Sequence, residues 1–287
     1  MAAGQLTDAS GIHVRLASLG VDDLHPNGTD TIVLIHGLWV TALIWEHWIE
    51  RYRARGYRVL APDWPGLDPG VGELRRDPSV LAGLSVARIT AHYGLLIREL
   101  RPPPVLIGHC LGGLVVQIVL DQGLGAAGVA IEPAPPAGVK PLPFMPGAGF
   151  PVMRGSVRHR DVVTLTARQF RRDMAGTLGD RQAAAAYARY CIPAAGRVVR
   201  QAGFPGHTRV RFGNPARAPL LLVGGGRDRI FPASLTRSSF RRYGRSAAVT
   251  CYREYPDRSH YTIGEPGWEH VADYALRWVM DNARQDP

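Results

Sequence analysis

Cys110, Asp228 and His260 have the types and the chain order for nucleophilic acyl transfer. Such chemistry needs a nucleophile, a base within hydrogen-bond reach of it, and a carboxylate that fixes the imidazole and offsets its charge. Cys110 stands in Gly108-His109-Cys110-Leu111-Gly112-Gly113, between a run that reads as a buried strand, Pro104 to Ile107, and one that reads as a helix, Leu114 to Leu120. Glycines flanking a nucleophile permit a strained strand-to-helix turn that lifts its side chain out at the top of a sheet. A thiolate at that position is stabilised by the unpaired N–H groups and the dipole of the helix. Asp228 follows the apolar run Leu220 to Gly224, and His260 follows the last predicted strand, just before a helix. Glu132 also ends a strand and Asp257 lies near His260, so either is an alternative orienting acid; chain order favours Asp228.

A developing oxyanion needs two backbone donors aimed at it. Leu111 N–H, directly after the nucleophile, is one candidate, and the second is expected from the loop after His36-Gly37, at Leu38 or Trp39. His36 is expected to shape that loop and His109 to pack beside the elbow. No HExxH or comparable cluster is present and no GxGxxG follows the first strand, so neither metal nor cofactor is expected.

The elements that must position these residues are legible as alternating strands and helices. Thr31 to Ile35 is a β-branched run, followed by a Trp-rich segment (Trp39, Trp45, Trp48) and a second strand at Tyr57 to Ala61. Ser85 to Leu100 has helical periodicity, Val129 to Glu132 reads as strand, Pro219 to Gly224 as strand, Pro232 to Arg242 as helix, Ala247 to Tyr255 as strand and Trp268 to Asn282 as helix. This alternation predicts an α/β chain with a mostly parallel central sheet covered by helices on both faces. The pattern breaks at Pro133. From there the chain runs through the Pro-rich apolar stretch Pro133 to Met153 and two predicted helices, Asp161 to Met174 and Asp180 to Tyr190. Residues 133–216 are therefore expected to form a helical cap inserted after the sixth strand, with 1–132 and 217–287 as the core.

At 287 residues with 46% hydrophobic content, a chain of this size buries roughly 75% of its unfolded surface, which suits one large domain with an insertion. Met1 to His13 has neither a basic nor an apolar stretch, and no segment approaches the ~20 apolar residues of a membrane span, so a cytoplasmic protein without membrane attachment is expected. Cys110, Cys191 and Cys251 form no metal-ligand spacing and cannot all pair, and Cys191 and Cys251 are expected to be buried and inert. The net charge of +10 is carried almost wholly by arginine, Lys140 being the only lysine. The arginines are scattered in pairs with no nucleic-acid motif around them, so an acidic protein partner is favoured over nucleic acid.

Through His36-Gly37, the elbow, Asp228 and His260, the chain resembles the α/β-hydrolase superfamily over nearly its whole length, and in particular its capped esterase-like members. The resemblance implies an α/β-hydrolase fold. Cys110 stands where those esterases have serine. Within the superfamily, Cys-His-Asp triads resemble those of the dienelactone hydrolases and of the Dieckmann cyclases that release tetramic acids from polyketide–peptide assembly lines. Dienelactone hydrolases are generally compact, so the long apolar insertion favours the cyclases.

The chemistry of sulfur points the same way. Attack of Cys110 on a carrier-bound thioester is a near-balanced exchange, and the acyl-thioester formed keeps an electrophilic carbonyl. His260 can then remove the acidic proton of a β-ketoamide, and the enolate closes a pyrrolidine-2,4-dione and expels Cys110. Ring closure beats hydrolysis only where water is excluded, which gives the cap a role. Trp39, Phe144, Met145, Phe150, Met153, Phe170, Met174 and Tyr187 are candidates to line its pocket, against the plainer expectation that each packs the cap on the core. Arg197, Arg200, Arg209 and Arg211, with Arg217 at the edge, are candidates for a face that receives an acidic carrier protein. Two alternatives stand beside this expectation. One is a thioesterase, esterase or lactone hydrolase in which water resolves the same acyl-cysteine; the other is a non-catalytic ligand-binding homologue.

Overall fold

Runs rich in Val, Leu, Ile and Ala set the four inner strands of the sheet, because strands covered on both faces have no polar side to show. The computed structural model describes residues 5–7, 13–15, 30–139, 162–203 and 207–284. Two short strands, β1 (Gln5–Thr7) and β2 (His13–Arg15), pair antiparallel apart from the main sheet. The chain then lays down β3 (Thr31–Ile35), β4 (Arg58–Leu60), β5 (Val105–His109) and β6 (Ala127–Ile131). It leaves the sheet for a two-stranded antiparallel ribbon, β7 (Val162–Val163) and β8 (Ala194–Ala195), and returns as β9 (Leu220–Gly225) and β10 (Thr250–Tyr255). The central sheet has six strands in the order β10-β9-β6-β5-β3-β4, every pair parallel. Across its middle Val33 is level with Leu106, Leu106 with Gly128 and Gly128 with Leu220.

Helices join the strands: α1 (Glu46–Arg53), α2 (Val71–Arg76), α3 (Val86–Glu99) and α4 (Leu111–Asp121). Ser85 caps α3 by accepting the Arg88 N–H, which fixes the start that its periodicity predicts. α4 is buried from Leu111 to Leu120, the mark of a helix in the middle of the molecule. It lies so close to β6 that a Cβ on Gly128 would stand 2.6 Å from Leu120 Cδ1.

Between β6 and β9 the described residues form α5 (Ala167–Gln169), continuing into a π-type turn over Phe170–Met174, then α6 (Asp180–Tyr190) and α7 (Gly196–Gly203). The helix expected from Asp161 starts instead at Ala167. Thr166 and Gln169 form a capping box there, and Val162 and Val163 are taken up by pairing with Ala195 and Ala194. α8 (Ala233–Tyr243) and α9 (Trp268–Asn282) complete the chain.

Arg217, expected on a basic face, is 1% exposed. Its guanidinium donates to the carbonyls of Ala218 (2.9 Å), Val249 (3.1 Å) and Ala248 (3.2 Å) and to Thr250 Oγ1, and stacks 4.8 Å from the Tyr243 ring. It ties the start of β9 to β10 and is lost to any surface. No helix among the described residues is long and apolar enough to cross a membrane.

Candidate active site

Cys110 is the single residue between β5 and α4, with φ of 58°. A side-chain-bearing residue there costs on the order of 1–3 kcal/mol, so the surroundings must hold it. They do so through the backbone: Cys110 N–H donates to Ile131 O (3.0 Å), and Cys110 O accepts from Gly113 N–H (3.1 Å) and Ala134 N–H (3.0 Å). The turn closes only without side chains. A Cβ on Gly108 would stand 2.2 Å from Gly112 O, and one on Gly112 2.0 Å from Ile35 O. On the other side a Cβ on Gly37 would stand 2.5 Å from Cys110 Cβ, so the loop after β3 rests directly against Cys110.

The loop after β10 brings His260 to this point and the loop after β9 brings Asp228. His260 Nδ1 lies 2.8 Å from Asp228 Oδ2, and both side chains are fully buried. Asp228 Oδ1 accepts the N–H groups of Ile230 (2.7 Å) and Phe231 (2.9 Å), so its carboxylate is fixed at both oxygens. The Phe231 ring meets His260 edge-on at 5.6 Å. Burial pushes the His260 imidazole toward neutrality, but the Asp228 charge, the negative charge of a Cys110 thiolate and hydrogen bonds to both outweigh it, and its pKa lies well above the usual histidine value. Nε2 is left for Cys110, having no hydrogen bond to any other described group.

Two residues that the sequence did not single out for this task, His109 and Glu265, hold the His260 loop, and Glu132, the alternative acid, stands beside it without a hydrogen bond. His109 Nε2 donates to His260 O (2.7 Å), and burial drives its pKa well below the usual value, so it is a neutral ring that grips the backbone of His260. Glu265, 3% exposed, accepts Ser259 N–H (3.2 Å) and Ser259 O–H (2.7 Å) and also binds the Thr177 hydroxyl, joining the histidine loop to the segment between β6 and β9. Glu132, first residue after β6, has φ of 44° and no exposure; its Oε2 lies 3.5 Å from His109 Nε2 and 3.8 Å from His260 Nδ1. Asp257, the other alternative acid, is exposed and faces Arg227 at 3.7 Å. His109, Glu132 and His260 bring one ligand atom each to within 4.8 Å of one another, a spacing that suits a metal ion. A metal there would compete with the bonds that orient His260.

Leu111 opens α4, where the first N–H groups have no partner within the helix. Leu38 and Trp39 follow Gly37 and are 1% and 2% exposed, and Trp39 has φ of 64°. The Trp39 indole donates to Val163 O (3.2 Å) and Trp39 O accepts Ile192 N–H (2.8 Å), so the ribbon region grips the loop beside Cys110 from both ends. His36 donates from Nδ1 to Gly37 O (3.0 Å), accepts Trp64 N–H at Nε2 (3.3 Å) and stacks on the Trp64 ring at 4.6 Å. Burial lowers its pKa to about 4, which keeps it neutral as a brace for the loop.

Among the candidate lining residues, Phe170 is buried and its ring stands 6.1 Å from that of Tyr261, next to His260. Met174 is buried. Tyr187 meets Phe170 edge-on, donates to Leu165 O (2.9 Å) and carries the Arg75 guanidinium over its face at 5.4 Å. Its hydroxyl and one face are thus engaged with protein. Phe144, Met145, Phe150 and Met153 lie outside the described residues. Cys191 is buried and burial raises its thiol to about 12, while Cys251 is half-buried in β10.

The chain matches a family described as the alpha/beta hydrolase family over residues 32–272. No curated protein matches it. Similar solved structures include a methylesterase from Arabidopsis (15% identity, TM-score 0.63, covering 88% of this chain and 99% of that one). They also include a monoacylglycerol lipase from Paleococcus ferrophilus (22%, 0.63, 88% and 96%) and a pyrethroid hydrolase from Sphingobium faniae (19%, 0.59, 86% and 98%). At these identities the likeness shows a shared fold.

Proposed function

The chain belongs to the alpha/beta hydrolase family, and from that premise we propose that it is an acyl-transfer enzyme in which Cys110 takes the acyl group of a thioester. The observation that supports this reading is the 2.8 Å contact between His260 Nδ1 and Asp228 Oδ2 behind a cysteine at φ of 58°. The Cys110 sulfur attacks the thioester carbonyl, and the tetrahedral oxyanion is received by Leu111 N–H and an N–H of Leu38 or Trp39. Collapse breaks the bond to the leaving thiolate, which takes the proton held on His260 Nε2. The product is an acyl-Cys110 thioester with His260 neutral and ready to act as base.

Two fates of that intermediate keep atoms and charge in balance. In the first, His260 takes a proton from water, the hydroxide attacks, and Cys110 leaves with the proton: a thioesterase, esterase or lactone hydrolase, in keeping with the hydrolase family. In the second, His260 takes the proton between the two carbonyls of a β-ketoamide, the carbanion attacks the same carbonyl, and Cys110 leaves from a tetramic acid: a Dieckmann cyclase. The sulfur nucleophile favours the second, because an acyl-thioester is a better electrophile for carbon than an acyl-serine. The grip of the segment between β6 and β9 on Trp39 also suits a site closed to water.

The basic chain suits delivery of the acyl group by an acidic carrier protein, with Arg197 and Arg209 exposed and Arg211 already paired with Asp121 at 3.2 Å. One experiment addresses substrate and fate together. A β-ketoamide is supplied as its N-acetylcysteamine thioester, as the matching oxyester, and on an acidic carrier, and the products are separated. The thioester is expected to react at least tenfold faster than the oxyester, and the carrier-bound form faster still at low salt than at high salt. Ring in the product identifies the cyclase and free acid the hydrolase. No reaction of any of the three, with Cys110 unlabelled, would replace the proposal with the ligand-binding reading.

A further inference from the structure

The segment between β6 and β9 touches both chain neighbours of His260. On one side the Thr177 hydroxyl, from the turn before α6, lies 3.1 Å from Ser259 Oγ and donates to Glu265 Oε2. On the other, the rings of Phe170 and Tyr190 stand 6.1 Å and 6.3 Å from that of Tyr261. Ser259, Tyr261 and Glu265 are all buried, which strengthens the polar contacts among them.

Glu265 is the centre of this arrangement. Its carboxylate accepts Ser259 N–H at Oε1 (3.2 Å) and Ser259 O–H at Oε2 (2.7 Å), while its own N–H donates to Tyr261 O (3.1 Å). Residues 259–265 thus close on themselves, with His260 between two tied neighbours. Arg258 stands 3.7 Å from Oε1, but its guanidinium is turned to the carbonyls of Pro266 (2.5 Å) and Gly267 (2.9 Å). The buried carboxylate therefore depends on its hydrogen bonds, and of these only the one from Thr177 comes from the inserted segment. A cavity of about 420 Å³ runs along the seam, lined by Thr177, Leu178, Gln182, Pro256, Arg258 and Glu265. Packing is sparse beside the joint, so polar bonds carry the contact there.

Resting on the acyl-Cys110 reading above, we propose that Thr177 and Glu265 are positioning residues that make the placement of His260 depend on the inserted segment. With Thr177 bonded, Glu265 grips Ser259 at its N–H and its hydroxyl, and the next residue is held with Nδ1 2.8 Å from Asp228 Oδ2. With Thr177 withdrawn, Oε2 keeps one donor in place of two, and the loop that sets this distance slackens. A misplacement of about 1 Å costs on the order of 100-fold in rate, so the base works in register only while the segment is docked.

The test reads His260 itself, which separates this inference from the function proposed above. The Nδ1 proton, held in a buried hydrogen bond to a carboxylate, is followed by NMR as a low-field resonance and identified by its loss in Asp228→Asn. Thr177→Val keeps the shape and lacks the hydroxyl; Thr177→Ser keeps the hydroxyl and lacks the methyl, so a role in packing alone reverses their order. Thr177→Val is expected to speed exchange of that proton with solvent roughly 10- to 100-fold. It is also expected to slow single-turnover acylation of Cys110 by a thioester about tenfold, with the Kd for the thioester within about twofold of wild type. Thr177→Ser is expected to stay within about threefold of wild type in both. Glu265→Gln should exceed Thr177→Val, and if it does not fold the Thr177 pair decides. A wild-type exchange rate in Thr177→Val, or a larger effect in Thr177→Ser than in Thr177→Val, would overturn the inference. A wild type without the resonance would overturn it as well, since His260 would not be seated on Asp228. The expected exchange rates, with no acylation of Cys110 in wild type, would overturn the proposed function and leave the positioning of His260 standing.

Discussion

Cys110→Ala is expected to abolish turnover, lowering kcat/KM on a thioester by about 10⁵-fold or more. The size of the effect follows from how singular the position is. Cys110 alone lies at the turn between β5 and α4, within range of His260 and ahead of the first N–H groups of the helix. Cys191 is buried, with its thiol raised to about 12, and cannot stand in. What survives the change is the proposed oxyanion donors and His260, which would leave only weak catalysis by positioning. Stopped-flow release of the thiol, read against the wild type at matched concentration, measures the loss; a variant within tenfold of wild type would remove Cys110 from the mechanism. Cys110→Ser then distinguishes the two fates. An acyl-serine is a poorer target for a carbanion, so ring formation is expected to fall far more steeply than hydrolysis.

The second large effect is structural. Gly112→Ala is expected to destabilise the fold by about 3–5 kcal/mol, beyond the usual range for one extra methyl group. The added Cβ would stand 2.0 Å from Ile35 O and 2.7 Å from both His36 O and Ile35 C, all of them backbone atoms at the end of β3. No rotamer relieves contact with backbone, so α4 must back away from the sheet, taking the elbow with it. Differential scanning calorimetry should show a fall in Tm of roughly 6–20 °C, on the scale of about 2–4 °C per kcal/mol for a domain of this size. Gly72→Ala is the matched control, since a Cβ there meets nothing within 4 Å. A Gly112→Ala protein within 1 °C of wild type, a shift of roughly 0.5 kcal/mol or less, would show that the elbow tolerates far more than its geometry implies.

Much of the frame is written locally and was therefore readable. The strands Thr31–Ile35 and Leu220–Gly225 are continuous apolar runs, and the start of α3 carries its own cap at Ser85. The elbow announces itself through Gly108, Gly112 and Gly113, because close backbone approach leaves no other residue type. What escaped is what depends on partners distant in sequence. The ribbon of β7 and β8 is two residues per strand, too short for any period to register, and it exists because Val162-Val163 meets Ala194-Ala195. α7 is eight residues between glycines and is held by burial of Val198, Val199 and Ala202. Arg217 reads as a surface charge in sequence, yet five backbone and side-chain groups around β9 and β10 enclose it.

The same division runs through the site. The order Cys110, Asp228, His260 is a property of the chain, but the supports of His260 are contacts over large separations. His109 is 151 residues from the carbonyl that it holds, and the Thr177 hydroxyl is 88 residues from Glu265. Glu132 is legible as a carboxyl at a strand end. Its second position, beneath the imidazole and next to Asp228, comes only from the parallel pairing of β5, β6 and β9.

The step proposed for this site is the passage of acyl groups through Cys110. It is tested most directly by intact-protein mass measurement after rapid mixing of wild type and Cys110→Ala with a β-ketoamide thioester and quenching in acid, with peptide mapping of the adduct. One acyl group is expected on the wild type, mapped to Cys110, and none on the variant. Product formation by the wild type with no adduct at any time point, or an equal adduct on Cys110→Ala, would contradict it.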